Sequence, residues 1–419
     1  MSKKGIKVEL HEMKPQSYSP AHKLPTFAEL VCSNSLKAER FGSAAGLLKW
    51  EMEYLGSLTV PLAKKNAVPA GGALAVDRVL FSKQVTEAIK SDPNITVVTG
   101  EVENIDPDEY TIIATGPLTS GRLADSLKAL CGEEYLSFYD AAAPIVTADS
   151  IDMEHAFFAS RYDKGDGDDY INCPLNKEEY EAFVSALVSA ERALLHENDM
   201  GLKVYEGCMP IEVLASRGTD AIRFGPMKPV GLKDPKTGHR PWAVLQLRKE
   251  TKQAEMYNLV GFQTNLKFGE QKRVFGMIPA LSHAEYVRYG VMHRNSFIDS
   301  PRVLNSDFSM KKHPKVSFAG QISGVEGYME SAASGIAAAL FMAAAINGEQ
   351  LPPFPDITMI GALSRYISDG SVKDFQPMGA NFGILPPLPT AIRDKKERYN
   401  LLAERSAKWF SDNVRSEEK

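Results

Sequence analysis

The sequence predicts an α/β protein in which one discontinuous domain, built around a parallel or mixed sheet, is interrupted by a second, α+β unit. Three observations lead to this prediction. Short apolar strands separated by Gly- and Pro-rich turns occupy the first 116 residues, as expected for strands covered on both faces. The same succession of strand, turn and helix returns at 313–347. Between them, from about 139 to 283, charged loops and polar turns indicate an inserted domain.

The first part of the chain contains four predicted strands. Residues 5–11 (GIKVELH) form a short strand that is closed by the acidic Glu12. Residues 66–82 (NAVPAGGALAVDRVLFS) contain a strand that leads into a helix, and 95–105 (ITVVTGEVENI) are strand-like. Residues 110–117 (YTIIATGP) predict a buried strand that ends at a glycine.

The remainder of the chain divides into the insertion and a return to the first domain. The insertion contains a predicted helix near 176–196 and a polar, turn-rich stretch, GPMKPVGLKDPKTGHRP. The return is the apolar strand, Gly-rich turn and Ala-rich helix at 313–347, and an amphipathic helix is predicted over 396–415. We therefore predict domain segments at 1–138, 139–283 and 284–419.

The composition is that of a folded protein with a sizeable core. The 419 residues are 44% hydrophobic and 24% charged, and the formal net charge is −5 at pH 7. This charge argues against a uniformly basic nucleic-acid coat but is compatible with a local Lys/Arg patch that binds phosphates. No stretch approaches 18 uninterrupted apolar residues, and MSKKGIKVEL lacks the apolar run of a secretory signal. We therefore expect a cytoplasmic protein without a membrane segment.

The glycine-rich turns are the first candidates for a binding site. In VSFAGQISGVEGYMESAASG a strand runs into Gly320, and Gly324 and Gly327 precede a helix. Glycines allow a ligand to approach the backbone, and a helix N-terminus offers free N–H groups to a diphosphate or a flavin. The turn at Thr115-Gly116 is a second such position, and Glu12 at a strand end suits ribose hydroxyls. Each has a purely structural alternative, as a tight strand-to-helix turn or a solvated strand end.

The four cysteines are too few and too scattered for a disulfide framework, and without a CxxC pair they do not predict a metal site. Cys32 (FAELVCSNSLK) and Cys208 (YEGCMPIEV) lie in predicted turns, where a thiol can be exposed and reactive, whereas Cys131 and Cys173 are expected to be small buried side chains. A reactive thiolate needs nearby cations. Candidates around the insertion are Arg223, Lys228, Arg248, His293 and Arg294, which together could form a phosphate-binding and thiolate-activating surface.

Eight blocks of the sequence resemble one family: FAELVCSNSLK, VPAGGALAVDR, RYDKG, EGCMPIEV, RFGPMKPVGL, VGFQTNLKFGEQKRVF, GVMHRN and FAGQISGVEGYMESAASG. Together they are similar to the bacterial folate- and FAD-dependent tRNA uracil-5-methyltransferases, long called Gid. The match extends from about residue 5 to the NFGILPPL segment. The related GidA or MnmG proteins share the FAD-domain pattern but lack the CSNS and EGCMP blocks.

The resemblance implies a Rossmann-like FAD-binding domain that carries an insertion domain. It also implies 5,10-methylenetetrahydrofolate as one-carbon donor, NADH or NADPH as reductant, and 5-methyluridine in the T-loop of tRNA as product. The residues suit this chemistry. Carbon C5 of uracil is a poor nucleophile until a thiolate adds at C6, and reduced flavin can accept the methylene and later supply hydride.

The resemblance also implies roles for individual residues. Cys208 and Cys32 correspond to the two functional cysteines, one attacking uracil and the other handling a proton or the methylene. We favour Cys208 as the nucleophile, and the reverse order stays open. Tyr328 is expected near the flavin ring, and His293 against the folate or flavin. The residues expected at the cofactors are Glu12, Val102, Thr115, Gly116, Gly320, Gln321, Gly324, Val325, Gly327 and His293. Those expected at the RNA are Arg223, Lys228, Arg248 and Arg294.

One departure from the family pattern concerns the N-terminus. Family members begin with a strand and a GxGxxG turn before KKGIKVELHEM, and this sequence has neither. We therefore expect a chain that is truncated there, that binds FAD poorly and that is inactive. Three alternative functions stay open: the same chemistry on an rRNA uridine, a GidA-like modification of a wobble uridine, and a non-catalytic RNA-binding or scaffold protein.

Overall fold

A computed structural model of the chain describes residues 1–19, 21–119, 121–132, 135–163, 169–193, 209–250, 253–372 and 375–414. For residues 135–141, 163, 293 and 294 it describes the backbone alone. The strands in these ranges are β1 (Val8–Glu12), β2 (Ser35–Ala38), β3 (Ala67–Val68), β4 (Ala73–Val76), β5 (Ile95–Thr99), β6 (Thr111–Ile113), β7 (Tyr135–Ala141), β8 (Ile145–Thr147), β9 (Phe157–Phe158), β10 (Tyr170–Leu175), β11 (Ala243–Lys249), β12 (Met256–Leu259), β13 (Tyr286–Arg288), β14 (Met292–Ile298) and β15 (Val316–Phe318). The α-helices are α1 (Ala44–Tyr54), α2 (Thr59–Lys65), α3 (Arg78–Lys90), α4 (Gly121–Cys131), α5 (Lys177–Ser189), α6 (Ile211–Ala215), α7 (Phe268–Phe275), α8 (Ser300–Val303), α9 (Tyr328–Ile346), α10 (Met359–Ser368) and α11 (Lys395–Asn413).

The strands form two parallel pairs, one large antiparallel sheet and two smaller antiparallel groups. Strand β1 pairs with β5, and β6 pairs with β15, both in parallel. A six-stranded antiparallel sheet has the order β13-β8-β12-β11-β10-β9, and β2, β4 and β3 form a small sheet. Strands β7 and β14 pair antiparallel with each other over their full length.

The apolar core is divided into two clusters. The first is built from side chains between residues 30 and 131 and again between 297 and 403. The second contains side chains between 146 and 284. The β7–β14 ribbon connects the region of the first cluster with that of the second. The predicted domain limits at 138/139 and 283/284 lie close to this division and remain a prediction.

Alternation along β10 and β11 gives the six-stranded sheet one apolar and one polar face. Ile171 and Cys173 of β10 face the second core together with Leu245 and Leu247 of β11. The intervening side chains point the other way and are polar, among them Asn172, Gln246 and Arg248. The polar face therefore lies away from the second core.

Helix α9 is a core helix of the first domain. It is rich in Ala, the best helix former, and its Ala333, Ala337 and Phe341 side chains belong to the first core. By length and composition it is apolar enough to span a membrane, and half of the window that meets this criterion is buried inside the protein. A buried helix meets the same criterion, so α9 gives no support to a membrane span.

A buried carboxylate joins three helices of the first domain. Glu51 of α1 accepts hydrogen bonds from the backbone N–H groups of Met359 and Ile360 at 2.7 and 2.9 Å, and from Ser406 Oγ at 2.6 Å. These two N–H groups begin α10, and Ser406 lies on α11. Burial raises the pKa of Glu51 to about 7, although all three hydrogen bonds act in the opposite direction.

The predicted elements are confirmed in kind, with shorter bounds. The helix predicted near 176–196 begins at a capping box formed by Asn176 and Glu179. The prediction is wrong at the other end, because α5 stops at Ser189. Arg192 then forms a β-bridge with Leu266, which requires an extended backbone.

Candidate active site

The Cys32 thiol and the Tyr328 phenol lie in direct contact. The Cys32 backbone N–H donates a 2.9 Å hydrogen bond to Tyr328 Oη, and Cys32 Sγ lies 3.1 Å from the same oxygen. Cys32 is a partly exposed thiol in a turn just before β2. Tyr328 is the first residue of α9, directly after Gly327. The structure therefore brings together two of the three predicted catalytic residues.

The phenol of Tyr328 keeps its proton. Burial raises its pKa well above the ordinary value, and the charge and hydrogen bond of Cys32 raise it further. Because Oη already accepts from the Cys32 N–H, its own proton is available to the neighbouring sulfur. The phenol can therefore stabilise the thiolate form of Cys32 by donating to it.

Three arginines hold the turn around Cys32. Arg78 Nη1 donates to the Leu30 carbonyl at 2.7 Å, and Arg288 Nη1 donates to the Val31 carbonyl at 2.5 Å. Arg248 donates to the Ser33 and Asn34 side chains at 2.7 and 2.8 Å. Tyr328 Oη accepts from the Cys32 N–H. Every residue from Leu30 to Asn34 is therefore held by a hydrogen bond with a distant part of the chain.

The charges around this turn are predominantly positive. Glu250 forms an ion pair with Arg78 at 2.7 Å, and both side chains are largely buried, at 2% and 12% exposure. Burial lowers the pKa of Arg248 and Arg288, and both Glu250 and Cys32 oppose that effect. Positive charge beside a sulfur favours the thiolate, which is the reactive form of cysteine. The arrangement suits nucleophilic or general-base chemistry at Cys32.

Local sequence explains how each arginine reaches the turn. Arg78 is the first residue of α3, directly after Asp77, whose side chain caps the helix N-terminus. Arg248 projects from the polar face of β11, where alternation places it opposite Tyr170. Arg288 is the last residue of β13. Helix α3 thus supplies one arginine and the six-stranded sheet supplies two.

Two glycine-containing turns lie at one edge of a parallel strand pair. Strand β6 runs into Thr115 and Gly116, and β15 runs into Gly320 and Gln321. Parallel strands end on the same side, so the two turns are neighbours. A side chain at Gly116 would meet no atom within 4 Å, and one at Gly320 none closer than 3.8 Å, although both have positive φ. The backbone at both positions is therefore open to a ligand.

The next glycines are required by packing. A Cβ at Gly324 would lie 2.4 Å from the Phe375 ring, and one at Gly327 would collide with the Glu330 carboxylate. Glu330 is buried and accepts a 2.6 Å ion-paired hydrogen bond from Lys37 Nζ. Val325 is buried and bridges to Met378, and Gln321 donates to Glu326 at 2.6 Å. The backbone groups at the start of α9 have no side-chain cap, which suits an anionic or polar ligand.

Two further predicted cofactor residues belong to the β1–β5 region. Glu12 ends β1, and its carboxylate accepts from the Lys14 N–H at 3.0 Å. Val102 is partly buried against the first core, just beyond the end of β5. The cofactor role of both residues remains a prediction.

The predicted cations separate into two environments. Arg248 is buried against Ser33 and Asn34, which favours the thiolate-activating role over a direct RNA contact. Arg223 lies over the Trp242 ring at 3.9 Å, and Lys228 is exposed on the insertion. His293 and Arg294 pair through their backbones with β7, and their side chains lie outside what the structure describes.

Of the four cysteines, the structure describes three. Cys131 lies in the first core and Cys173 in the second, as expected for small buried side chains, and burial raises the pKa of Cys173. Cys208, the predicted nucleophile, falls in 194–208, outside the described residues. Within those described, no group of three His, Cys, Asp or Glu side chains could hold a metal ion.

Arg78, Arg288 and Glu250 are the site residues that sequence reasoning missed. Arg78 stands in the VPAGGALAVDR block and Glu250 follows the LQLRK stretch, yet neither position is distinctive in one sequence. The alternation of AVLQLRK was the available signal, because Gln and Arg on one face of a buried strand indicate a polar partner.

Comparison with known proteins identifies the family. The family model described as "Glucose inhibited division protein A" matches residues 1–350. The chain belongs to this family. Two curated relatives are named methylenetetrahydrofolate–tRNA-(uracil-5-)-methyltransferase TrmFO. That from Acetivibrio thermocellus is 56% identical over 99% of this chain and 94% of its own. That from Halalkalibacterium halodurans is 53% identical over 99% of this chain and 95% of its own. The chain is therefore also a member of the TrmFO family.

Two solved structures share the fold. GidA from Aquifex aeolicus aligns with a TM-score of 0.69 in its form I crystal and 0.66 in form II. The alignments cover 98% of this chain and 72% or 70% of GidA, at 14% and 13% identity. The likeness confirms the predicted α/β, Rossmann-like fold.

Proposed function

We propose that this chain is a folate- and FAD-dependent methyltransferase that forms 5-methyluridine in the T-loop of tRNA. Relatives above 50% identity over nearly the whole chain carry the name of that activity. The observation in the chain that supports it most is the contact of Cys32 with Tyr328 inside a ring of arginines. The GidA structures, at 13–14% identity, support the fold alone, so a wobble-uridine role gains nothing from them.

The described residues fit a flavin. The turns at Gly116 and Gly320 are open, and α9 presents uncapped N–H groups beside Tyr328. Residues assigned to the FAD by this proposal are Glu12, Val102, Thr115, Gly116, Gly320, Gln321, Gly324, Val325 and Gly327. Bound there, FAD would carry the one-carbon unit from methylenetetrahydrofolate and supply the hydride that completes the methyl group.

The side chains of the protein handle the uracil. A thiolate adds at C6, which places negative charge on the oxygen at C4 and makes C5 nucleophilic. We assign that addition to Cys208 and the removal of the C5 proton to Cys32. Tyr328 and the three arginines hold Cys32 as a thiolate ready to accept this proton. His293 is assigned to the folate or flavin, and Arg294 to the RNA.

The electron donor and the cellular setting are part of the same proposal. Reduction of the flavin needs a two-electron donor, and we assign NADH or NADPH to this step. The substrates are tRNA and a folate, and the relatives are bacterial proteins. The protein therefore works in the cytoplasm.

The function is tested by methylation of undermodified tRNA with labelled methylenetetrahydrofolate. The assay contains excess FAD and either NADH or NADPH. We expect label in the T-loop, none in undermodified 23S rRNA, and at least a hundredfold loss in Cys32→Ala and Cys208→Ala. A covalent RNA adduct in Cys32→Ala but not in Cys208→Ala supports the assigned order. Label in rRNA alone would contradict the proposal.

A further inference from the structure

The insertion carries a basic, turn-rich segment at residues 217–240. It contains six Lys and Arg residues and two Asp residues. Lys228, Lys233, Lys236 and Arg240 are exposed. Of the two acids, Asp234 is buried and accepts from the segment's own Lys236 N–H. The surface of this segment is therefore positive, in a chain whose net charge is negative.

An exposed aromatic side chain is fixed against this segment. Tyr162 is 61% exposed, and its backbone N–H donates to the Gly231 carbonyl at 2.9 Å. Its ring covers Gly231 so closely that a Cβ there would lie 3.0 Å from the ring atoms. Tyr162 also has a φ of +59°, which is uncommon for a residue other than glycine. Such backbone strain is retained where the surroundings enforce it, and it clusters at functional sites.

The same segment is linked to the thiol turn through one strand. Arg161 donates to the Val230 carbonyl at 2.8 Å and to Gln246 Oε1 at 2.9 Å. Gln246 and Arg248 lie two residues apart on β11 and therefore share its polar face. Arg248 in turn holds Ser33 and Asn34 beside Cys32. The exposed ring and the basic segment thus border the sheet face whose Arg248 holds the turn of the reactive sulfur.

We propose that Tyr162 and the 217–240 segment bind the RNA, with a nucleobase next to the target uridine stacked on the Tyr162 ring. This inference rests on the proposed function and names the surface that holds its substrate. A uracil within a folded loop must be turned out of its stack before a side chain can reach C5 or C6. An aromatic ring that takes a neighbouring base compensates for the lost stacking, while Lys and Arg contact the phosphates.

Phe224 is 75% exposed in the same segment, next to Arg223, and offers a second apolar surface. Phe224 is not among the described residues with a positive φ, and its ring contacts none of the described glycines as the Tyr162 ring contacts Gly231. Arg223 already covers Trp242. We therefore assign the defined base-stacking position to Tyr162.

Binding of a fluorescent T-arm stem-loop to the full chain tests the proposal. The variants are Tyr162→Ala, Tyr162→Phe and Lys228→Gln. The matched control is Tyr110→Ala, because Tyr110 is a 48% exposed tyrosine that also lies beside a lysine, Lys315, in the first domain. Anisotropy is measured at several salt concentrations, and circular dichroism verifies folding.

Loss of one stacked base weakens binding roughly ten- to hundredfold. We expect that loss of affinity in Tyr162→Ala. The affinity of Tyr162→Phe should stay within about twofold of wild type, and that of Tyr110→Ala should not change. The dependence of log affinity on log salt should be unchanged in Tyr162→Ala and smaller by about one unit in Lys228→Gln. KM for tRNA should rise in Tyr162→Ala more than kcat falls.

Two results would overturn the inference. One is a Tyr162→Ala protein that binds as tightly as Tyr110→Ala. The other is a Tyr162→Ala protein whose salt dependence also falls, because the ring would then only hold the basic segment in place. Failure of the proposed function is recognised separately, since the wild-type chain would then methylate no T-loop RNA at all. If an acidic polypeptide displaces the stem-loop equally well from wild type and from Tyr162→Ala, the segment binds a protein partner instead.

Discussion

Tyr328 Oη lies 3.1 Å from Cys32 Sγ, although 296 residues separate the two in the chain. The contact places the start of α9, and with it the Gly320–Gly327 turn, directly at the thiol. A single phenol thereby links the region assigned to the flavin with the sulfur assigned to proton transfer. Catalysis by this chain should depend on that oxygen.

Removal of the phenol oxygen should impair chemistry as well as stability. Tyr328→Phe leaves the Cys32 N–H without its acceptor and the sulfur without a donor. We expect kcat to fall roughly 10²-fold and the free energy of unfolding by about 1–3 kcal/mol. Methylation kinetics and urea unfolding measure the two effects. The matched control is Tyr366→Phe, which removes a 2.7 Å hydrogen bond to the Gln376 carbonyl in the same domain. Equal losses of kcat in the two variants would contradict the assigned role.

The Arg78–Glu250 ion pair should show strong coupling. Glu250→Met leaves a buried guanidinium without its anion, which typically costs about 3–5 kcal/mol, whereas replacing both partners by apolar residues costs less. We therefore expect Arg78→Met/Glu250→Met to be more stable than the sum of the single variants implies. Urea unfolding of the four proteins measures the coupling. Strict additivity would show that the pair contributes no mutual stabilisation.

The double variant should nevertheless lose activity, because Arg78 also holds the Leu30 carbonyl beside Cys32. Methylation rates of folded protein measure this loss. The surface ion pair of Arg273 with Glu270 gives a control, since Arg273→Gln should leave both stability and rate nearly unchanged. A fully active double variant would remove Arg78 from the site.

A methyl group at Gly320 should weaken flavin binding beyond the backbone strain that it introduces. Gly320 and Gly348 have φ values of +79° and +72°, and neither has an atom within about 3.5 Å of an added Cβ. Gly320→Ala and Gly348→Ala should each carry backbone strain of about 1–3 kcal/mol, the larger in Gly320→Ala because the ψ of Gly320, −165°, lies in a region almost exclusive to glycine. Only Gly320→Ala should reduce affinity for added FAD, as measured by flavin fluorescence quenching. Equal affinities would place the flavin elsewhere.

Stability should depend on pH through Glu51. Burial raises its pKa from 4.5 to about 7, so between these values the folded state holds a proton that the unfolded state has lost. The stabilisation from this group is complete below pH 4.5 and is lost as pH rises through 7. Relative to Glu51→Gln, the wild type should lose on the order of 3 kcal/mol between pH 4.5 and 8. Parallel pH profiles of urea unfolding in the two proteins would contradict this.

The sequence was sufficient for elements whose signals are local. The strand, turn and helix at β15 and α9 follow from an apolar run, glycines and Ala-rich sequence, and Cys32 follows from its turn residues. The arginines around Cys32 could not be assigned in this way. Arg78, Arg248 and Arg288 come from three elements, and only packing of the insertion against the first domain brings them to one turn.

Burial also changed the interpretation of single residues. Arg248 belonged to a list of surface cations in the sequence, yet alternation along β11 turns it toward Asn34, where it is almost fully covered. In the sequence, Tyr162 is distinguished only as a member of the RYDKG block. Its positive φ and its contact with Gly231, 69 positions later, come from the fold, and no local pattern indicates them.

The β7–β14 ribbon has a mechanical consequence. The chain leaves the first core cluster at β7 and returns to it at β14. These two strands are hydrogen-bonded to each other, from Tyr135 with Ile298 to Ala141 with Met292. Bending one of these strands must therefore bend the other. Arg248 and Arg288 contact the Cys32 turn from the six-stranded sheet, and Arg78 contacts it from α3. Any such bend would change the electric field of the three guanidiniums at Cys32 Sγ. The rate at which a thiol reagent labels Cys32 would therefore report the bend.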